Sequence, residues 1–191
     1  GLVRIMPDGK LHVHSGCGNL GTYSYAATAR AAAEALGGSW ENMVIERGDS
    51  RKGLPFVLGQ FGSNSTYTQT RTNWAAGMDA KAKLQEIAAK DLGGAPGDYD
   101  TTDGKVFNKA NPSKSMSWAQ AAKRAIELGG KYSGKEMPKD INPITKWATA
   151  SIAGTGLVGV TKDKRPKKGV TPGLVTAFVK VEVDTETGKV E

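Results

Sequence analysis

The sequence predicts an α/β domain of the layered (α+β) kind, with helices packed on a sheet. Three observations point there. Short apolar runs bounded by turn residues lie before, between and after helical stretches. Three of those stretches close on the same stop, Leu36-Gly37-Gly38, Leu92-Gly93-Gly94 and Leu128-Gly129-Gly130. Glycine there takes the left-handed conformation after a last helical turn at little cost. Finally, 25 of 191 residues are glycine, roughly twice the ordinary ~7% share, which suits tight turns and close backbone approaches. The flanks of the three stops differ, so they read as convergent capping and not as a repeat.

The elements follow in order. Gly1 to Met6 reads as a strand, Asp8-Gly9 as a turn, and Leu11 to Ser15 as the returning strand. A helix runs from about Tyr23 to Leu36. Its alanines 26, 27, 29, 31, 32, 33 and 35 favour the helix and permit close approach to a sheet. Met43 to Glu46 is a short strand. A second helix spans about Asn73 to Lys90, with Trp74, Gly77, Met78, Leu84, Ile87 and Ala88 on one broad side. Asp103-Gly104 turns into a short strand ending near Phe107. Ser117 and Gln120 form a capping box that opens the third helix.

From Lys131 to Gly173, glycine, proline and lysine dominate, and a long irregular insertion is expected across a surface or subunit boundary. Val175, Ala177, Val179, Val181 and Val183 then alternate with other residues as in a half-buried strand. Asp184 to Gly188 is a hairpin turn, and Lys189 to Glu191 begins its partner. The expected division is therefore a core over 1–130, an irregular basic insertion over 131–173, and a C-terminal strand with a truncated hairpin over 174–191. Both ends interrupt strand-like patterns, so the chain is expected to be a segment of a larger protein.

Composition narrows the chemistry. No window approaches the ~18 apolar residues of a membrane span. A single cysteine, Cys17, excludes an internal disulfide, an all-cysteine metal site and an iron–sulfur cluster held by this chain alone. The formal charge of +7 is concentrated in Lys162, Lys164, Arg165, Lys167 and Lys168 around Pro166. No aromatic stacking surface accompanies that run, so no nucleic-acid partner is expected. A polyanion-binding module remains the third reading.

Two stretches can hold a ligand. Ser15-Gly-Cys-Gly-Asn-Leu-Gly-Thr22 places three glycines between a strand and a helix. Its N–H groups suit an anionic oxygen, although a hairpin strand precedes it and the dinucleotide-binding context is missing. Gly62-Ser-Asn-Ser-Thr-Tyr-Thr-Gln-Thr-Arg-Thr-Asn73 is rich in hydroxyls and leads into a helix. It reads equally well as a bland polar loop or as a ligand lining, with Arg71 adding a positive fork. His12, His14 and Cys17 could be imagined around a metal, but two strand histidines beside a loop explain them better. Nothing orients a base towards Cys17. Glu46, Asp49, Asp79 and Glu86 read as separate surface or capping carboxylates.

Together with the C-terminal strand, these stretches resemble the molybdenum-cofactor-binding large subunit of the xanthine dehydrogenase and aldehyde oxidase family, from near its second cofactor-binding domain. The family's H-x-G-G-x-x-x-G-Q-G-x-x-T loop and A-x-x-L helix end are matched by His14 to Ala26 and by Ala33-Glu-Ala-Leu36. Met43 to Glu46 with Gly48-Asp49-Ser50 is similar to its V-x-x-G-D-T. Ala177 to Gly188 is similar to its closing strand and E-T-G turn. The resemblance covers about two-thirds of the chain. The family's loop glutamine falls on Thr22, whose short side chain offers no amide, leaving Asn19 as a substitute.

What the resemblance implies is a set of cofactor-binding residues: Gly18, Asn19, Gly21, Thr22, Ser65, Thr68 and Thr70. It implies molybdopterin, in its mononucleotide or cytosine dinucleotide form, and hydroxylation or dehydrogenation of an aldehyde or N-heterocycle with oxygen from water. The implied partners are the remainder of the large subunit, a [2Fe–2S] domain or subunit, a flavin (FAD) subunit and a small-molecule substrate. The family's catalytic glutamate lies beyond this segment, so no catalytic residue is expected here and the isolated segment should be inactive. Relatives occur in the cytoplasm, favoured slightly here, and in the periplasm. A structural or assembly module that has lost the cofactor, motivated by Thr22, is the second reading.

Overall fold

The computed structural model describes residues 1–49, 51–163 and 175–191. Ser50 and four of the five cations of the basic run, Lys164, Arg165, Lys167 and Lys168, fall outside the described residues.

Strands β1 (Leu2–Ile5) and β2 (Leu11–His14) form the expected hairpin, with Leu2 opposite His14 and Ile5 opposite Leu11. Helix α1 (Ser24–Leu36) carries the chain to β3 (Met43–Glu46), which pairs with β2 in parallel. Helix α2 (Ser65–Leu92) follows. Strands β4 (Tyr99–Thr102), β5 (Lys105–Asn108) and β6 (Ser115–Ser117) then make an antiparallel three-stranded sheet in sequence order. Helix α3 (Trp118–Leu128) leads on to α4 (Pro143–Ile152) and β7 (Leu157–Val160). Strand β7 returns to β1, so the main sheet has the order β3-β2-β1-β7.

Strand alternation divides the apolar residues between two faces. Val3, Ile5, Leu11, Val13 and Leu157 join α1, α2 and α3 in the larger core. Leu2, Val158 and Val160 turn the other way and pack on Ile141, Ala148 and Ile152 beneath α4. Close approach holds the layers. A Cβ on Gly77 of α2 would lie 2.8 Å from the Ala32 carbonyl oxygen, and one on Gly159 of β7 would lie 2.4 Å from that of Ala76. The alanines of α1 therefore serve helix-to-helix contact with α2 at least as much as contact with the sheet.

Capping follows the sequence at α1 and at the start of α3, whereas Gly93 and Gly129 end α2 and α3 with positive φ but ψ of 162° and −146°, outside the left-handed helical region expected there. At α1, Gly37 has φ 64°, its N–H donates to Glu34 O at 3.0 Å and that of Gly38 to Ala33 O at 2.9 Å, the Schellman arrangement. At α3, Ser117 Oγ accepts from Gln120 N at 3.1 Å while Gln120 Oε1 accepts from Ser117 N at 2.8 Å, the capping box expected there.

Three expectations need correction. First, α2 begins at Ser65 and not near Asn73, so most of the hydroxyl-rich stretch is helix. Two of its hydroxyls bond back into their own turn, Thr68 Oγ1 to Asn64 O at 2.9 Å and Thr72 Oγ1 to Gln69 O at 3.1 Å. That route satisfies them without a ligand. Tertiary contact then overrides weak propensity: Asn73 Nδ2 donates to Thr28 O at 3.1 Å. The packed side of α2 is Asn73, Ala76, Gly77, Ala80, Leu84, Ile87 and Ala88, with Trp74 and Met78 exposed.

Second, the stretch expected to be irregular carries α4 and β7. Asn142 caps α4 by accepting from Ile144 N at 2.8 Å, with Pro143 in the first turn. Third, residues 175–181 form no strand. They are exposed, and the only pairing among the described residues of this region is the bridge between Val183 and Val190 across the expected turn. An alternating pattern becomes a half-buried strand only where a sheet edge and a covering face meet it.

Candidate functional site

Two segments distant in sequence, the loop between β2 and α1 and the approach to α2, come together. A Cβ on Gly16 would lie 2.4 Å from Pro55 O, and one on Gly18 would lie 3.4 Å from Gln60 Oε1. Between the segments lies a concavity of about 360 Å³, lined by Leu20, Thr22, Ser24, Gln60, Phe61 and Ser65, with Ala27, Ser63 and Thr66 completing it.

Local backbone chemistry builds its walls. Ser15 Oγ accepts from Cys17 N at 3.1 Å, and Asn19 Oδ1 accepts from Gly21 N at 2.9 Å. These side-chain turns fix the loop without any regular element. Among the described residues only Tyr23 (φ 49°) and Ser63 (φ 53°) hold left-handed backbone without being glycine. Each such residue costs about 1–3 kcal/mol, and such strain collects at functional sites. Ser63 lines the concavity, and Tyr23 stands between two lining residues.

Inside, the polar groups are linked. Gln60 Nε2 donates to Ser24 Oγ at 2.8 Å, Thr22 Oγ1 lies 3.1 Å from the same oxygen, and Cys17 Sγ lies 3.9 Å from it. No charged side chain is among the lining residues. The surface therefore offers hydroxyls and an amide, which both donate and accept, beside the exposed apolar side chains of Leu20 and Phe61.

Of the residues singled out in the sequence, Thr22 and Ser65 face the concavity and Gly18 abuts Gln60. Asn19 and Gly21 shape the loop. Thr68 and Thr70 sit further along α2 and are not lining residues. Arg71 is engaged elsewhere, donating from Nε and Nη2 to Asp163 at 2.7 and 3.1 Å. Sequence reasoning missed Gln60 and Ser24. The signal for Gln60 was its position in Gly59-Gln-Phe-Gly62, where both glycines adopt positive φ, 105° and 57°.

The histidines and the four carboxylates lie apart from this concavity. His12 Nδ1 meets Glu46 Oε1 at 2.9 Å, and Lys52 donates to the other carboxylate oxygen. Hydrogen bonds from Lys52 and His12 hold the Glu46 carboxyl below its usual range, against the effect of burial. Glu46 is thus networked and not a lone surface carboxylate. Asp79 is also more than that: it accepts from Lys83 Nζ at 2.7 Å and from Val160 N at 2.8 Å. No group of three or more His, Cys, Asp or Glu side chains that could hold a metal occurs among the described residues. No helix among them is long and apolar enough to cross a membrane.

Comparison with known proteins gives this geometry a context. The chain is 33% identical over 106 residues, 56% of its length, to the aldehyde oxidoreductase molybdenum-binding subunit PaoC of Escherichia coli O157:H7, and equally to that of strain K12. It covers 14% of those relatives. Its fold superimposes on reconstituted CO dehydrogenase from Oligotropha carboxidovorans with a TM-score of 0.59 and 25% identity, over 83% of this chain and 17% of that one. Quinoline 2-oxidoreductase from Pseudomonas putida 86 shares the fold at a TM-score of 0.58 and 21% identity, over 82% of this chain and 18% of that one. The family model of the molybdopterin cofactor-binding domain matches residues 1–191 throughout, and the chain belongs to that family.

Proposed function

We propose that this chain forms part of the molybdopterin site of a molybdenum-dependent oxidoreductase, with Thr22, Ser24, Gln60 and Ser65 against the cofactor. The observation that carries the reading is the convergence of two strained segments on one neutral concavity lined by hydroxyls and an amide. A pterin is a flat heterocycle with donors and acceptors around its rim. Such a lining can match that rim, while Leu20 and Phe61 offer apolar contact. The N-terminus of α2, beside which Ser63, Ser65 and Thr66 lie, favours a tail phosphate through the positive end of its helix dipole.

Each residue then has a task. Gln60 supplies the amide that Thr22 lacks, and Ser24 joins the two. Gly18 keeps the loop close to Gln60, Asn19 and Gly21 hold its turn, and Thr68 and Thr70 stiffen the first turns of α2 beneath Ser65. When bound, the cofactor supplies two-electron oxidation of the substrate with oxygen from water. This chain binds and orients it and contributes no proton-transfer group.

The name of the PaoC relatives supports an aldehyde as substrate. Electrons would leave through a [2Fe–2S] domain or subunit to a flavin subunit, and the remainder of the large subunit would close the site.

The test is the cofactor content of the full-length protein carrying both Thr22→Val and Gln60→Leu. Molybdenum and pterin per chain should fall about tenfold as two polar contacts are lost. A Thr155→Val control, at the opposite side of the sheet, should retain both. Unchanged content in the double variant contradicts the proposal.

A further inference from the structure

We infer that the α4-covered face of the main sheet holds a second site, for a small oxyanion, formed by Arg4 and His14 with Lys52 and Arg51 at its mouth. It does not depend on the cofactor reading. Strand register sets Arg4 opposite His12 and His14 beside Glu46 on this face. Lys52-Gly53 and Ser151 of α4 enclose a cavity of about 230 Å³ there, several times the ~30 Å³ that one water occupies in the liquid.

The decisive feature is a set of unpaired polar atoms. His14 is only 3% exposed, and neither ring nitrogen has a hydrogen-bond partner. Arg4 Nε is buried and unpaired as well, although its Nη1 is anchored to Thr155 Oγ1 at 2.8 Å. Buried polar groups are nearly always paired, so unpaired nitrogens on two residues that line one cavity point to a place where a ligand can bind.

Charge selects what that ligand is. Arg4, Lys52 and Arg51 face a single lining carboxylate, Glu46, whose two oxygens are already taken by His12 and Lys52. Asp49, outside the lining, chelates Arg51 at 3.0 and 2.9 Å, and α4 contributes only neutral side chains. The cavity is rich in donors and short of acceptors. A sulfate, phosphate or small carboxylate supplies acceptors to Arg4 Nε–H and to His14, whereas a cation would meet like charge.

Burial, with Arg4 next, pushes His14 down to about 4, and His12 and Lys52 act in the same direction against Glu46. An anion beside the ring reverses that pressure, so binding takes up a proton.

Sulfate, which stays fully ionised across the working range, is the probe. Calorimetric titration of the full-length protein in buffers of different ionisation enthalpy reads affinity and proton uptake together. Affinity should rise about tenfold per unit fall in pH between the raised His14 value and the free one. Arg4→Gln should abolish binding, and His14→Gln should remove the proton uptake. Arg51→Ala, at a side chain 89% exposed and safe for folding, should weaken binding several-fold. Absence of sulfate binding, binding without proton uptake, or binding indifferent to Arg51→Ala overturns the proposal.

Discussion

Leu157–Val160 and Val175–Asp184 are both valine-rich runs, and the structure treats them oppositely. The first is buried throughout beside β1. In the second, Val175, Phe178 and Val179 are 95%, 94% and 83% exposed. The longer and more regular alternation belongs to the exposed segment. What separates them is the surroundings. Strand β7 packs its glycine on α2, and its outer edge is closed by side chains and a loop. Val160 N donates to Asp79, Val158 O accepts from Lys83 at 2.8 Å, and Val158 N donates to Tyr132 O at 2.9 Å. An edge so occupied cannot recruit another strand. Residues 175–181 have neither a face to cover nor an edge to join among the described residues.

Breaking β7 should therefore be far more damaging than altering the later segment. Gly159→Val drives a side chain into the Ala76 carbonyl, and equilibrium unfolding in urea should show a loss of at least ~3 kcal/mol. Lys83→Met keeps the bulk of a nearly buried side chain but leaves Val158 O without its donor. A loss of about 2 kcal/mol is expected by the same measurement. Val179→Asp in the 191-residue chain should change stability by less than ~0.5 kcal/mol. Hydrogen exchange sharpens the contrast: amides of β7 should be protected to the level of global unfolding, and those of 175–181 should exchange freely. Equal protection in the two regions would refute the contrast.

The same comparison explains what the sequence could disclose. The hairpin β1–β2, helix α1, strand β3 and the capping box of α3 are legible because their signals are local: turn residues, caps and periodicity within a few positions. Strand β7 was not legible. Its four residues include Gly159, which reads as a breaker until α2 is seen to need the space. Helix α4 carried a readable start in Asn142-Pro143, obscured by the glycine and lysine around it. The early start of α2 was hidden because serine and threonine favour loops unless their hydroxyls bond back to the helix.

At the candidate site, Thr22 and Ser65 were found from residue chemistry and resemblance, whereas Gln60 and Ser24 needed the fold. Their link crosses from one segment to the other, and no local pattern announces such a bond. The orphaned ring of His14 was equally invisible, since burial without a partner is a property of packing alone.

The proposed role in holding a molybdenum cofactor has a direct readout. Elemental mass spectrometry of the full-length protein, isolated together with its native partners, tests it most directly. About one molybdenum per chain is expected, the stoichiometry of a single bound cofactor. Freshly isolated, fully assembled protein without molybdenum would contradict the proposed role.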